Sequence, residues 1–303
     1  MDRPPQIFDR RLLRARKARA AAGMARAAFL LEHTAEDLAE RLSVISRRFD
    51  LGLDLGAHGR LLSDRLAQTG KVGRMLCGPL VAGLAGSGGD AVVCDDELPP
   101  FAPASLDLVV SALSLQLVND LPGALAQIRR ALKPDGLFLA AMLGGRTLEQ
   151  LRAAFASAEI DLTGGLSPRV APFADVRDLG ALLQRAGFAL PVADAELLTV
   201  TYADPMALMA DLKAMGVSNM LSDRRKAPAT RALLAATGDA YRRKFSTADG
   251  RVPATFEIVT LTGWAPHDGQ QKPLLPGSAK ASLKSALAAA EPLAQGSNDG
   301  VGD

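Results

Sequence analysis

The sequence predicts an α/β fold, a mostly parallel sheet buried between helices, with a helical insertion late in the chain. Three observations carry this. From Leu51, short apolar runs ("LGLDLG", "KVGRMLC", "DAVVCDD", "LDLVVSALSL" and "GLFLAAML") alternate with segments of helical period. Runs that are apolar throughout suit strands covered on both faces, and connections long enough for a helix make them parallel through right-handed crossovers. The first run continues into "LDLGAHGRLL", residues 53–62, where an aspartate and a glycine turn separate a strand from a helix. Open α/β sheets build ligand loops in this way, because glycine lets the backbone approach the ligand closely.

The elements follow in order. "FDRRLLRARKARAAAGMARAAFLLEHTAEDLAERL" is dense in Arg and Ala, with apolar residues at helical spacing, and predicts one or two helices within residues 1–48. Its arginines also suit a mitochondrial transit peptide, but the helical pattern runs unbroken into Leu38 and Leu42, which makes it part of the fold. We read those arginines as a solvated helix face; a docking surface for an acidic partner or anionic lipid head groups is the alternative. A helix over residues 121–132 connects the fourth and fifth runs, and "KPDG" at residues 133–136 is turn chemistry that stops it. A helix to about Ala158, a Gly/Pro loop, the helix "DVRDLGALLQRAGF" and a strand near residues 196–202 come next. Residues 205–245 read as a helical insertion, and "ATFEIVTLTGWA" closes the domain, residues 49–265, with a long β-rich strand. Residues 266–303 are Gly, Pro, Ser, Ala and Lys with little apolar periodicity, which predicts a flexible tail with a transient helix near residues 279–290.

Composition narrows the function. With 303 residues, 48% hydrophobic and 22% charged, the chain can bury a sizeable core. A net charge of +2 gives no global reason to expect nucleic acid. Cys77 and Cys94, without CxxC spacing, suit neither a disulfide scaffold nor zinc and fit a reducing compartment. No apolar run approaches a membrane span and no signal peptide stands out, so a cytoplasmic location is expected.

The candidate cofactor residues are Asp54, Gly56, Ala57 and His58 in the loop, Asp95 and Asp96 after the third run, and Leu113 after the fourth. These positions lie at carboxyl ends of strands, where ligands of open sheets bind; the Asp54 carboxylate can take an ammonium or a hydroxyl, and Asp95 and Asp96 a purine amine. One expected group is missing: between Asp64 and Asp90 the chain has no acid to hold a ribose. Gln116, Asn119 and Asp120 follow the fourth strand and are the candidate substrate residues. His33, His58 and His267 show no metal-ligand spacing, so no metal site is expected. Ser111 and Ser114 lie in an apolar strand where packing explains them, and no catalytic residue is assigned.

Taken together, "DLG" at residues 54–56, "LDLVVSALSLQLVNDLPGALAQIRRALKPDGLFLAAMLGG", "SPRVAPFADVRDLGALLQRAGF", "DLKAMGVSN" and "DGRVPATFEIVTLTGW" resemble the complex I assembly factor five family. The resemblance runs from about Phe8 to Leu283 and takes in the "FDRRLLRARKARAA" start. It implies a class I methyltransferase-like (Rossmann-like) fold: a seven-stranded sheet whose late strand is antiparallel, with the helices from Pro205 over the cleft. It implies S-adenosylmethionine in that cleft and a protein client among respiratory complex I subunits, in a family associated with arginine hydroxylation although the fold suggests methyl transfer. The chain departs from the family in three places. "GAHGR" replaces a fuller glycine loop, Gly78 or Pro79 stands where relatives have an acid, and Gln116 and Leu117 replace His-Trp. Two readings therefore stay open: an enzyme that modifies a protein side chain, and a non-catalytic assembly scaffold. An O-methyltransferase acting on an acyl-carrier thioester is a distant third. Peripheral membrane contact through the basic helix accompanies either of the first two.

Overall fold

Alternation along single strands shows how the sheet divides the core. In β4 (Leu106–Ala112), past the register shift at its start, Leu108, Val110 and Ala112 enter one apolar cluster while Val109 enters another. In β5 (Leu132–Leu143), Leu137, Leu139 and Ala141 face the first cluster, and Phe138, Ala140 and Met142 face the second. This period of two, with both faces apolar, is the signature of a strand covered on both sides. The first cluster is closed by α2 (Phe29–Ser43), α3 (Leu61–Gln68), α5 (Glu149–Thr163) and α8 (Arg231–Phe245), the second by α4 (Leu121–Ala131) and α6 (Val176–Arg185).

The computed structural model describes residues 6–270. The tail and helix expected within residues 266–303 fall almost entirely outside that span. The remaining strands are β1 (Phe49–Leu55), β2 (Val72–Gly78), β3 (Asp90–Ala91), β6 (Ala189–Tyr202) and β7 (Val252–Trp264). Seven strands form one sheet in the order β3-β2-β1-β4-β5-β7-β6, parallel from β3 to β5, with β7 antiparallel to both β5 and β6. The order reverses between β1 and β4, and the crevice of such a sheet opens at the carboxyl ends of those two strands.

Three expectations are corrected. "DAVVCDD" pairs as a strand only at Asp90 and Ala91. The carbonyl of Pro79 then takes the Cys94 amide at 3.1 Å, and Val92 and Val93 stay exposed, as suits a short margin strand. The strand expected near residues 196–202 begins at Ala189, because an edge strand with one solvated face carries no continuous apolar signal. "KPDG" lies within β5: register with β4 jumps from Leu106↔Leu132 to Leu108↔Leu137, and residues 133–136 bulge out around Asp135 at φ +62°.

The amino-terminal helix and the insertion make one cover over the crevice. Asp9 caps α1 (Arg10–Ala20) by accepting from the Leu12 amide at 3.0 Å. Phe8 bridges Leu221, and the Asp9 amide donates to Met220 O at 2.9 Å, which stitches the start of α1 to the segment after α7 (Pro205–Ala214). Asn219 accepts from Arg16 through its carbonyl. No helix among the described residues is long and apolar enough to cross a membrane.

Candidate functional site

The ligand loop begins where β1 ends. Asp54 is buried, and its carboxylate accepts from Ser63 Oγ at 3.1 Å at the start of α3. Burial pushes its carboxyl up to about 7, against the lowering influence of Ser63 and the charge of Arg60. Gly56 has φ +76°, and a Cβ there would overlap the Ser114 side chain, so only glycine lets the loop pass this close to the end of β4. Ala57 is buried behind it. Asp54 thus braces the turn from within and is not among the residues that line the neighbouring cavity.

Beside the loop, Asp95, Asp96 and Glu97 converge on one guanidinium. Arg10 of α1 makes ion pairs with Asp95 and Asp96 through Nη2, and its Nε lies 3.3 Å from Glu97 Oε2 without hydrogen-bond geometry. Arg14 adds a bond to Asp95 at 2.5 Å, and Ser114 Oγ donates to Asp96. Asp96 is 1% exposed and the Arg10 side chain 12%, so this is a desolvated network in which every carboxylate is bonded. Burial opposes the Arg10 charge, but Asp96 and then Asp95 outweigh it and raise its pKa. The reading of the α1 arginines as a solvated face is therefore overturned for Arg10. Asp95 and Asp96, expected to hold a cofactor, hold the chain's own arginine.

Seven residues further along α1, Lys17 is buried on the same face as Leu13. Its Nζ lies 2.6 Å from His58 Nε2 and 3.4 Å from Met215 O. Burial lowers the Lys17 pKa to about 8 and holds His58 well below its ordinary value, with the Lys17 charge acting in the same direction on His58. Both line a cavity of about 300 Å³ beneath the cover, together with Leu113, Gln116 and Leu117 after β4, Leu143 at the end of β5, Leu148 beyond it, Met209 and Leu212 from α7, and Met215 just past that helix.

The expected substrate residues separate. Gln116 lines this cavity, with Oε1 buried and unpartnered. Asn119 instead accepts from the Phe8 amide at 2.8 Å and donates to its carbonyl at 3.2 Å, anchoring the chain ahead of α1. Asp120 caps α4 through the Gly123 amide at 2.9 Å. Neither lines the cavity. Ser114, assigned to packing, is instead a donor to Asp96. Arg10, Lys17 and Glu97 were missed, although "DDE" and the Leu13–Lys17 spacing of one helical turn were visible signals. His33 bonds Glu196 at 3.2 Å at the surface, and no metal-holding cluster exists among the described residues.

As arranged, the site does not fit S-adenosylmethionine. Gly78 offers no carboxylate to a ribose, and even a Cβ there would lie 3.1 to 3.2 Å from Leu53 Cδ1, Asp54 O and Cys94 Sγ. Asp95 and Asp96 are committed to Arg10, and the His58 side chain stands in the loop bonded to Lys17.

Comparison with known proteins is consistent with this architecture. A methyltransferase domain family matches residues 53–140. A putative methyltransferase from Bacillus halodurans superposes with a TM-score of 0.53 at 16% identity over 76% of this chain and 99% of its own, a likeness of fold. The malonyl-[acyl-carrier protein] O-methyltransferase of Methylovorus sp. is 34% identical over 86% of this chain and 90% of its own. The mitochondrial arginine-hydroxylase NDUFAF5 of Danio rerio is 36% identical over 91% of this chain and 88% of its own. The Homo sapiens protein of that name is 40% identical over 91% and 82%. With 36 to 40% identity over 91% of its length, the chain belongs to the NDUFAF5 family of methyltransferase-fold proteins.

Proposed function

We propose that this chain modifies an arginine side chain of a protein client during assembly of respiratory complex I, and that Asp95, Asp96 and Glu97 receive the guanidinium. One observation carries the reading: these three carboxylates already enclose a guanidinium, that of Arg10, at the carboxyl edge of the sheet. The planar fork of arginine matches such a set better than an ammonium does. A client arginine would enter by displacing Arg10, which would swing out with the start of α1. The arginine-hydroxylase relatives and the complex I assembly resemblance support the client class.

S-adenosylmethionine enters this proposal only as a weak ligand, with a Kd on the order of tens of micromolar or poorer. The ribose acid is missing, and a charge-assisted bond of that kind contributes about 1.5 to 3 kcal/mol. Calorimetric titration checks it, and submicromolar affinity would contradict the cleft described above. The cytoplasm is the proposed location, although the relatives' names give mitochondria. Any contact with an anionic membrane would fall to the exposed Arg11, Arg19 and Arg26.

A non-catalytic scaffold is the second reading, favoured by the same Arg10, which seals the acidic set from within. Mass spectrometry of complex I subunits from a strain lacking this chain, complemented with wild type or with Asp95→Asn, separates the two. An arginine that gains one oxygen or one methylene with wild type and not with the variant supports the enzyme. Complementation with no mass change in either strain establishes the scaffold.

A further inference from the structure

We propose that the cavity under the cover binds an apolar carboxylic acid, whose carboxylate pairs with the Lys17 ammonium. The first observation is an unmatched charge. Lys17 is 4% exposed, and both its hydrogen-bond partners, His58 Nε2 and Met215 O, are neutral acceptors. Among the described residues it forms no ion pair, and Asp96 influences it only as a longer-range charge. A buried ammonium without a counter-ion is expensive, so such groups take a ligand's charge or lose their own.

The lining supplies the rest. Met24, Leu113, Leu148, Phe155, Met209 and Phe256 are typical of the wall, and no Asp or Glu lines it. The other cation there, Arg169, is already paired with Glu159 at 2.5 Å. Such a wall suits an apolar body and rejects a guanidinium or amine, so this is not the arginine subsite. Two buried polar atoms at the cavity have no partner, His58 Nδ1 and Gln116 Oε1. Because His58 Nε2 accepts from the Lys17 ammonium, the ring proton sits on Nδ1, which is left as a donor. The Lys17 ammonium matches the single charge of a carboxylate. A phosphate dianion would remain half neutralised. The Gln116 carboxamide nitrogen supplies a second donor at the wall.

Local strain points the same way. Leu113 and Leu148 have φ of +53° and +56°, a region that L side chains rarely adopt, and both line the cavity. Bonds from the Leu113 amide to Ala141 O at 2.8 Å and from the Leu148 amide to Thr255 O at 2.7 Å hold them there. Strain of this kind concentrates at ligand sites. At roughly 30 Å³ per heavy atom, the volume of a water in the liquid, a cavity of this size takes on the order of ten carbons.

The experiment titrates the full chain with decanoate below its micelle concentration, by calorimetry near neutral pH, against decanol, decylamine and malonate. Decanoate should bind with one equivalent, at least about tenfold tighter than decanol, and decylamine and malonate should not bind. Lys17→Met should weaken decanoate at least about tenfold and leave decanol unchanged. If that variant does not fold, Phe155→Trp, which narrows the cavity from α5, should abolish decanoate binding. Raising the pH of the wild type past the Lys17 pKa should weaken decanoate as well. Decanol binding as tightly as decanoate, decanoate indifferent to both Lys17→Met and pH, or no decanoate binding would each overturn the proposal. None of these outcomes bears on the client arginine, which mass spectrometry reads separately.

Discussion

Arg10 and Lys17 stand two turns apart on one helix and are both desolvated, yet they end in opposite electrostatic situations. Arg10 meets three carboxylates; Lys17 meets an imidazole and a carbonyl. The first closes a network that holds α1 against the sheet. The second leaves a positive charge facing an apolar cavity. Burial alone therefore does not say what a charge is for; its partners do, and the two residues should respond to the same kind of substitution with opposite signs.

The largest effect is expected at the closed network. Arg10→Ala leaves Asp95, Asp96 and Glu97 crowded without their main cation, and breaking one side of a buried pair costs about 3 to 5 kcal/mol. Urea denaturation measures this. Adding Asp96→Asn should restore part of the loss, since the two sites share one interaction. A cost below about 1 kcal/mol would mean that the network behaves as a solvated surface bridge, and the comparison would fail.

Lys17 should show the reverse. Lys17→Met removes an unpaired charge and adds an apolar side chain beside Met24 and Met215, so stability should hold or rise by about 1 to 2 kcal/mol. The pH dependence follows from its lowered pKa. Below about 8 the folded state carries the full penalty of the buried ammonium, and stability should climb as pH rises from 8 toward 10.5, where the unfolded chain still holds its proton. The climb should vanish in Lys17→Met, and a flat wild-type profile would show that the ammonium has a counter-ion.

Asp54 adds a smaller test of the same logic with the opposite charge. Its pKa is raised to about 7 from 3.8, so the folded state holds a proton that the unfolded chain releases. The stabilisation is full below about pH 4 and is lost as pH rises through 7. Asp54→Asn should remove that slope while keeping the loop, because an amide can still accept from Ser63. Retention of the slope would assign it to another group.

How far the sequence reached follows the same division. Strands buried on both faces and the glycine loop were legible because period and residue chemistry are local signals, as in β1, β4 and β5. The short β3 and the early start of β6 were not, since margin strands are defined by what they pair with and carry no continuous apolar run. The partners of Arg10 lie 85 and 86 residues away, so sequence supplied a basic helix and an acidic turn with nothing to join them. Lys17 was concealed by composition, one basic residue among many, although it shares a face with Leu13.

Asp120 supplies the smallest effect and marks where the comparison stops. Read from sequence as a substrate residue, it lies next to Asn119 beside the acidic set, and its side chain belongs to neither charged centre. Its carboxylate takes the Gly123 amide at 2.9 Å and its own amide donates to Glu97 Oε1 at 3.0 Å, so its side chain serves the first turn of α4. Loss of such a cap costs about 1 kcal/mol. Asp120→Ala should therefore lower stability by about that amount in urea, and Asp120→Ser should recover most of it because a hydroxyl caps as well. Decanoate affinity and client modification should both be unchanged. A loss of either in Asp120→Ala that Asp120→Ser does not restore would return this carboxylate to the site and extend the acidic set beyond Glu97.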